Sequence, residues 1–207
     1  MVRTRISVAL TMTLLALGCG GGTPSGDATG GVTGVVSPAP SPGGTEVDPD
    51  DPTILVRPFT AEQIRDEWVP GLRLLMRRTT PDATRVERWT VIAADDDGAD
   101  IEYATIADDG TVDGEPPVEH STWVELRDHA TFPASQSTRE WVARTTGLGE
   151  YEGWLYRVAD DGADTVQEFF FVPELPGAPV QMRILKGGTA VFELEQTARL
   201  RPDTGGM

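Results

Sequence analysis

The chain has 207 residues, with 33 acidic against 17 basic side chains and a net charge of −16. Nucleic acid is thereby excluded as a partner, because binding phosphates needs a basic patch. A single cysteine rules out a disulfide framework, and at this length the apolar content is enough to bury a core without one.

In chain order, the first signal is an address. Arg3 and Arg5 give a positive start, residues 6–17 are apolar or small, and Ala16-Leu17-Gly18 leads into Cys19, the lone cysteine. A charged n-region, a short apolar h-region and small residues at a cut form the pattern of a secretory signal. Twelve apolar or small residues fall short of the about 20 that span a bilayer. A plain secretory cut near Gly18 would leave Cys19 as a free thiol in an oxidising compartment. Leu15, Gly18 and Cys19 resemble a bacterial lipobox, with Ala16 and Leu17 where a leucine and a small residue are commoner. This resemblance implies cleavage after residue 18, lipidation of Cys19 and anchoring to a membrane by two or three acyl chains, enough for stable attachment. Gly20 stands where an Asp would signal inner-membrane retention, which implies the outer membrane.

Residues 19–52 read as the lipidated cysteine and a tether. They are rich in Gly, Pro, Ser and Thr, and every Trp, Tyr and Phe of the chain lies at or after Phe59. Such a stretch cannot bury enough apolar surface to offset the entropy of ordering it. As a random coil it spans on the order of 30 Å. Residues 53–202 read as one globular domain, and residues 203–207 as a flexible tail.

The first predicted element of that domain is a helix. Thr60 and Gln63 make a capping box, with Phe59 and Ile64 as its hydrophobic staple. Ile64, Trp68, Leu72 and Leu75 recur at helical spacing, which predicts one long helix that Pro70-Gly71 kinks or splits. Strands are predicted over residues 85–93 and 101–106, joined by the hairpin signal Asp95-Asp96-Asp97-Gly98. The same acidic turn recurs at Asp108-Asp109-Gly110 and Asp160-Asp161-Gly162. Thr122 and Glu125 form a second capping box, and Trp123, Leu126 and Ala130 share a helical face, which predicts a short helix. Strands follow over residues 138–145, 151–158, 166–172, 180–185 and 190–200, the last two joined at Gly187-Gly188. The expected fold is α+β: a curved antiparallel sheet of about seven strands, one long N-terminal helix and one short helix.

Few motifs carry chemistry. Counting back from Gly98 or Gly162 to position 1 of a calcium loop reaches Ala93 and Arg157, neither a ligand, although a weak cation site at residues 95–100 stays open. His120 and His129 are nine residues apart, which turns them to opposite sides of a strand or a helix, so no metal site is expected. His129 beside Asp128 leaves a hydrolase open as the minor alternative, without a Gly-x-Ser-x-Gly nucleophile elbow. Lys186-Gly187-Gly188-Thr189 lacks the upstream glycine of a phosphate loop. No cofactor and no catalytic residue is assigned.

Trp154, Tyr156 and Phe169-Phe170-Phe171 place aromatic surface on two adjacent strands, and alternation sends it to both faces of the sheet. Two readings stand: core packing, or a ligand groove lined by Trp123, Trp154, Tyr156 and Phe170. Gly149-Glu150-Tyr151, Trp154-Leu155-Tyr156, Phe169-Phe170-Phe171 and Pro176-Gly177-Ala178-Pro179-Val180 loosely resemble the half-barrel envelope proteins similar to the lipoprotein carriers. That resemblance implies a curved antiparallel sheet around an apolar cavity closed by helices.

The functional expectation is a lipid-anchored envelope lipoprotein with a non-catalytic domain that binds an apolar small molecule or an envelope protein; a purely structural envelope component is the alternative. A ligand carrier predicts a cavity near Trp123, Trp154 and Phe170. A protein-binding or structural role predicts a filled core and an exposed apolar patch at the sheet edge.

Overall fold

The computed structural model describes residues 51–159 and 164–202. The signal at 1–18, Cys19 and the tether up to residue 50, the turn Asp160-Asp161-Gly162 and the tail 203–207 lie outside the described residues.

The first helix, α1 (Ala61–Glu67), starts where its cap dictates. The Gln63 amide donates to Thr60 Oγ1 at 3.2 Å while the Thr60 amide donates to Gln63 Oε1 at 2.9 Å. Phe59 and Ile64 are both buried, as a staple requires. Removing this cap by Thr60→Ala is expected to destabilise the fold by about 1 kcal/mol, read from the urea midpoint.

The helix ends after Glu67, which corrects the expectation of a long one. Pro70 supplies no amide for continued helical bonding, and Gly71 takes a φ of +91° while donating to the Val91 carbonyl at 2.7 Å. From there Leu72, Leu74 and Met76 are buried at every second position. This is the period of a strand, and β1 (Arg73–Thr79) is the result. Pairing on both sides overrides the helical spacing of Leu72 and Leu75.

The chain continues through β2 (Thr84–Ala94), β3 (Gly98–Ile106), β4 (Val118–Thr122), α2 (Trp123–Asp128), β5 (Ser137–Thr146), β6 (Gly149–Ala159), β7 (Thr165–Phe171), β8 (Gln181–Lys186) and β9 (Thr189–Leu200). The strands form one antiparallel sheet in the order β4-β3-β2-β1-β9-β8-β7-β6-β5. There are thus nine strands among the described residues, not about seven. The additional ones are β1 and β4, whose mostly exposed Val118-Glu119-His120-Ser121-Thr122 carries no apolar alternation. Two meanders meet at the β1–β9 pair, and the sheet is curved and unclosed, with β4 and β5 at its edges.

Two of the three predicted acidic turns form through local hydrogen bonds. Asp95 Oδ1 accepts from the amides of Asp97 and Gly98 at 2.8 and 3.1 Å. Asp109 Oδ1 accepts from the Thr111 amide and hydroxyl at 3.0 and 2.6 Å. The second capping box caps α2, with Thr122 and Glu125 exchanging bonds at 3.2 and 2.9 Å.

The concave face carries the main core. Ile64 and Trp68 with α1, and Trp123 with α2, pack onto Leu74, Met76, Val91, Ile101, Tyr156, Phe171, Met182 and Leu194 of the sheet, with Phe59 and Phe132 between. A smaller cluster of Leu155, Phe170, Val172 and Val180 lies on the opposite face. In β9, Leu194 faces the main core, whereas Glu195 is buried, pairs with Arg77 and accepts from the Gly147 amide at 2.8 Å. That last bond draws the tip of the β5–β6 hairpin over β9.

Candidate functional site

Register decides where the predicted groove residues go. Trp154 pairs with Phe171, Leu155 with Phe170 and Tyr156 with Phe169, so Trp154 and Tyr156 face the concave side while Phe170 faces away. Trp123 joins the concave cluster, and its indole donates to the Asp95 carbonyl at 2.9 Å, tying α2 to the β2–β3 turn. Tyr156 is fully buried, and its hydroxyl donates to the Val56 carbonyl at 2.6 Å. Burial pushes that hydroxyl up to a pKa of about 12 against the opposing pull of Arg139. Phe132 stacks beside it, with centroids 4.7 Å apart. Trp123, Trp154 and Tyr156 therefore share a face, Phe170 lies on the other, and the space beneath the helices is occupied by aromatic side chains.

The aromatic surface continues outward from Trp154 to the edge of the sheet. Trp141 of β5 sits directly opposite Trp154 of β6, with centroids 4.9 Å apart and planes at 79°. The Arg139 guanidinium carbon lies 3.4 Å from the centre of the Trp154 ring. Such edge-to-face and cation–π contacts each contribute on the order of 1 kcal/mol and hold the rings in place. Trp141 itself is 47% exposed on a ten-residue strand whose outer side pairs with no other strand among the described residues. Sequence reasoning missed Trp141 and Arg139. The signal was present, because both tryptophans lie five residues from the ends of the hairpin turn, Trp141 before Thr146 and Trp154 after Gly149, which places them opposite each other.

The histidines occupy separate elements. His120 is half-exposed on β4, with Nδ1 2.8 Å from Asp100 Oδ1. That hydrogen bond, with the nearby carboxylates of Asp97 and Asp95, holds its pKa above the usual histidine value. The stabilisation it brings is fully present below the ordinary value of 6.5 and is lost as pH rises through the raised folded value. NMR titration of the His120 ring is expected to give a midpoint above 6.5, and His120→Gln a midpoint loss at pH 5.5 that vanishes at pH 9. His129 ends α2, its amide bonded to the Glu125 carbonyl at 3.1 Å. Its neighbour Asp128 turns to Arg127 and Arg57, at 2.8 and 3.3 Å. In the turn at residues 95–100, the Asp95 carboxylate serves the turn's own amides and Asp100 serves His120. Among the described residues, no group of three or more His, Cys, Asp or Glu side chains is placed to hold a metal ion, and no helix is long and apolar enough to cross a membrane.

No protein-family model matches the chain, and no curated protein matches its sequence. Among solved structures, it is similar to a chain in the complex of Pseudomonas aeruginosa MucA/MucB, with 14% identity, a TM-score of 0.48, and coverage of 70% of this chain and 56% of that one. A crystal structure of MucB gives 12% identity, a TM-score of 0.45 and coverage of 70% and 57%. A putative outer membrane lipoprotein-sorting protein domain from Vibrio parahaemolyticus gives 11% identity, a TM-score of 0.26 and coverage of 71% and 92%. The chain spans little more than half the length of the MucB chain.

Proposed function

We propose that this chain is a lipid-anchored protein of the bacterial cell envelope whose domain binds a protein partner without catalysis. It takes an extended segment of that partner along the free edge of β5, with Trp141 as the anchor. The observation that carries this reading is the half-exposed Trp141, braced by Trp154 and Arg139 on a strand that is an edge of the sheet among the described residues. An unpaired strand presents a row of backbone donors and acceptors to a further strand. Tryptophan and arginine are the side chains most often responsible for interface affinity. An apolar small molecule is the weaker reading, since Phe59, Trp68, Phe132 and Tyr156 fill the concave face where it would lie. A hydrolase built on His129 is weaker still, since Asp128 is engaged by two arginines.

The envelope address rests on Arg3, Arg5, the apolar run 6–17 and Cys19, and the Gly/Pro-rich residues up to 52 let the domain stand off the outer membrane. Cys19→Ser is expected to move the protein from the membrane fraction to the soluble periplasmic fraction. The binding reading is tested by placing a photo-crosslinking residue at position 141 in intact cells, with exposed position 62 on α1 as control. A discrete protein adduct from position 141 and none from position 62 is expected. Adducts to lipid alone, or equal adducts from both positions, would overturn it.

A further inference from the structure

A second site lies away from the Trp141 patch. Where the tip of the β5–β6 hairpin bends over β9, an open cleft of about 340 Å³ is lined by Glu67, Leu148, Tyr151, Leu175, Arg199 and Arg201. One wall is apolar and the other is charged. Glu67 Oε1 accepts from Arg199 Nε and Nη2 at 3.1 and 2.9 Å, and Glu67 Oε2 accepts from Arg201. Arg199 Nη2 also donates to the Pro176 carbonyl at 3.1 Å, the same oxygen that accepts from the Trp68 indole at 2.9 Å.

Two features of this cluster point to a ligand. Two guanidiniums share the single carboxylate of the lining, which leaves one uncompensated positive charge in a chain whose net charge is −16. The Arg199 side chain is 6% exposed, and its Nη1, sealed from solvent, has no hydrogen-bond partner among the described residues. A buried donor without a partner is costly, and a native protein that keeps one calls for an explanation. Several other buried polar atoms also lack partners, but among them only Arg199 lines this cleft.

We propose that this cleft binds a small apolar carboxylate, whose oxygens meet the exposed N–H groups of Arg201 and draw the sealed Arg199 Nη1 outward as the guanidinium turns, while its chain lies against Leu148, Tyr151 and Leu175. Arginine forks match the planar geometry of a carboxylate, and the cleft is at the small end of the size range for ligand sites, about 300–1,000 Å³. A phosphate or a large lipid fits less well, because the apolar wall is short and Glu67 repels a second negative charge.

The experiment is two-dimensional NMR of the full chain titrated with hexanoate, with hexylamine and hexanol as controls. The Trp68 indole N–H and the Arg199 Nε–H are the reporters, because the first shares the Pro176 carbonyl with Arg199 Nη2 and the second belongs to the guanidinium that would move. Saturable shifts of both signals with hexanoate, none with either control, and at least a tenfold weaker response in Arg201→Gln are expected. Arg201 is 63% exposed and Arg199 keeps its bonds to Glu67 without it, so that variant retains its fold. No saturable shift up to about 10 mM, equal shifts with hexanol, or an unchanged response in Arg201→Gln would overturn the proposal.

Discussion

Truncating Glu168 to alanine is expected to cost the fold about 1.5–3 kcal/mol, because it removes the buried carboxylate that three partly exposed arginines share. Glu168 of β7 is 5% exposed on the face of the sheet opposite the main core. Arg157 Nε donates to it at 2.8 Å and Arg144 Nη2 at 3.1 Å, with Arg183 at 3.7 Å. The network spreads across the sheet. Arg157 also reaches Glu140 on the edge strand, and Arg144 donates to Gln181, which in turn donates to Glu193. One carboxylate thus fixes the register of β5, β6, β7 and β8 on this face. Burial pushes the Glu168 carboxyl up, and the hydrogen bonds from Arg157 and Arg144 outweigh that push and hold it below the ordinary 4.5. Its stabilisation is accordingly present above pH 4.5 and is lost as pH falls through the lower folded value. Urea denaturation at pH 7 is expected to separate wild type from Glu168→Ala by the full amount, and the gap to narrow below pH 4. A gap under about 1 kcal/mol at pH 7 would mean that the network is solvated and contributes little.

Gly177→Ala is the second large effect, expected at about 2–5 kcal/mol. Gly177 has a φ of +111°, where an L side chain is strained by roughly 1–2 kcal/mol. A Cβ there would lie 2.1 Å from Trp68 Nε1 and 2.6 Å from Cε2. The ring has little freedom to retreat, since Trp68 is 3% exposed and its indole is hydrogen-bonded to Pro176, the residue just before the glycine. Forcing extra volume into a packed core adds about 1–3 kcal/mol. The matching observation is an altered Trp68 fluorescence spectrum alongside the lowered midpoint. An unchanged midpoint would show that the loop 172–180 shifts freely.

Both effects depend on contacts between distant parts of the chain, and this separates what the sequence made legible from what it did not. The caps at Thr60 and Thr122 and the turn at Asp95 are satisfied within four residues of themselves, so composition alone located them. The strand β1 was misread as helix because Leu72 and Leu75 fit a helical stripe as well as Leu72, Leu74 and Met76 fit a strand. The choice between them is made by β9, whose Thr197 hydroxyl bonds the Leu75 carbonyl from 122 positions away. β4 escaped notice because an edge strand with polar residues on both sides has no apolar period to read. The split of Phe170 from Trp154 and Tyr156 follows from strand alternation once the β6–β7 register is known. The burial of Tyr156 depends on Phe132, which packs against it from another segment. The meeting of Glu67 with Arg199, 132 residues apart, had no sequence signal.

The binding account stands or falls on β5. Its most direct test is amide hydrogen exchange, measured by mass spectrometry on the full chain free and bound to the protein captured at position 141. Gained protection concentrated over Ser137–Thr146, with none over Ala61–Glu67 or Trp123–Asp128, is the predicted result. Protection gained over the two helices with β5 unchanged would contradict the account and move the binding surface to the helical side of the sheet.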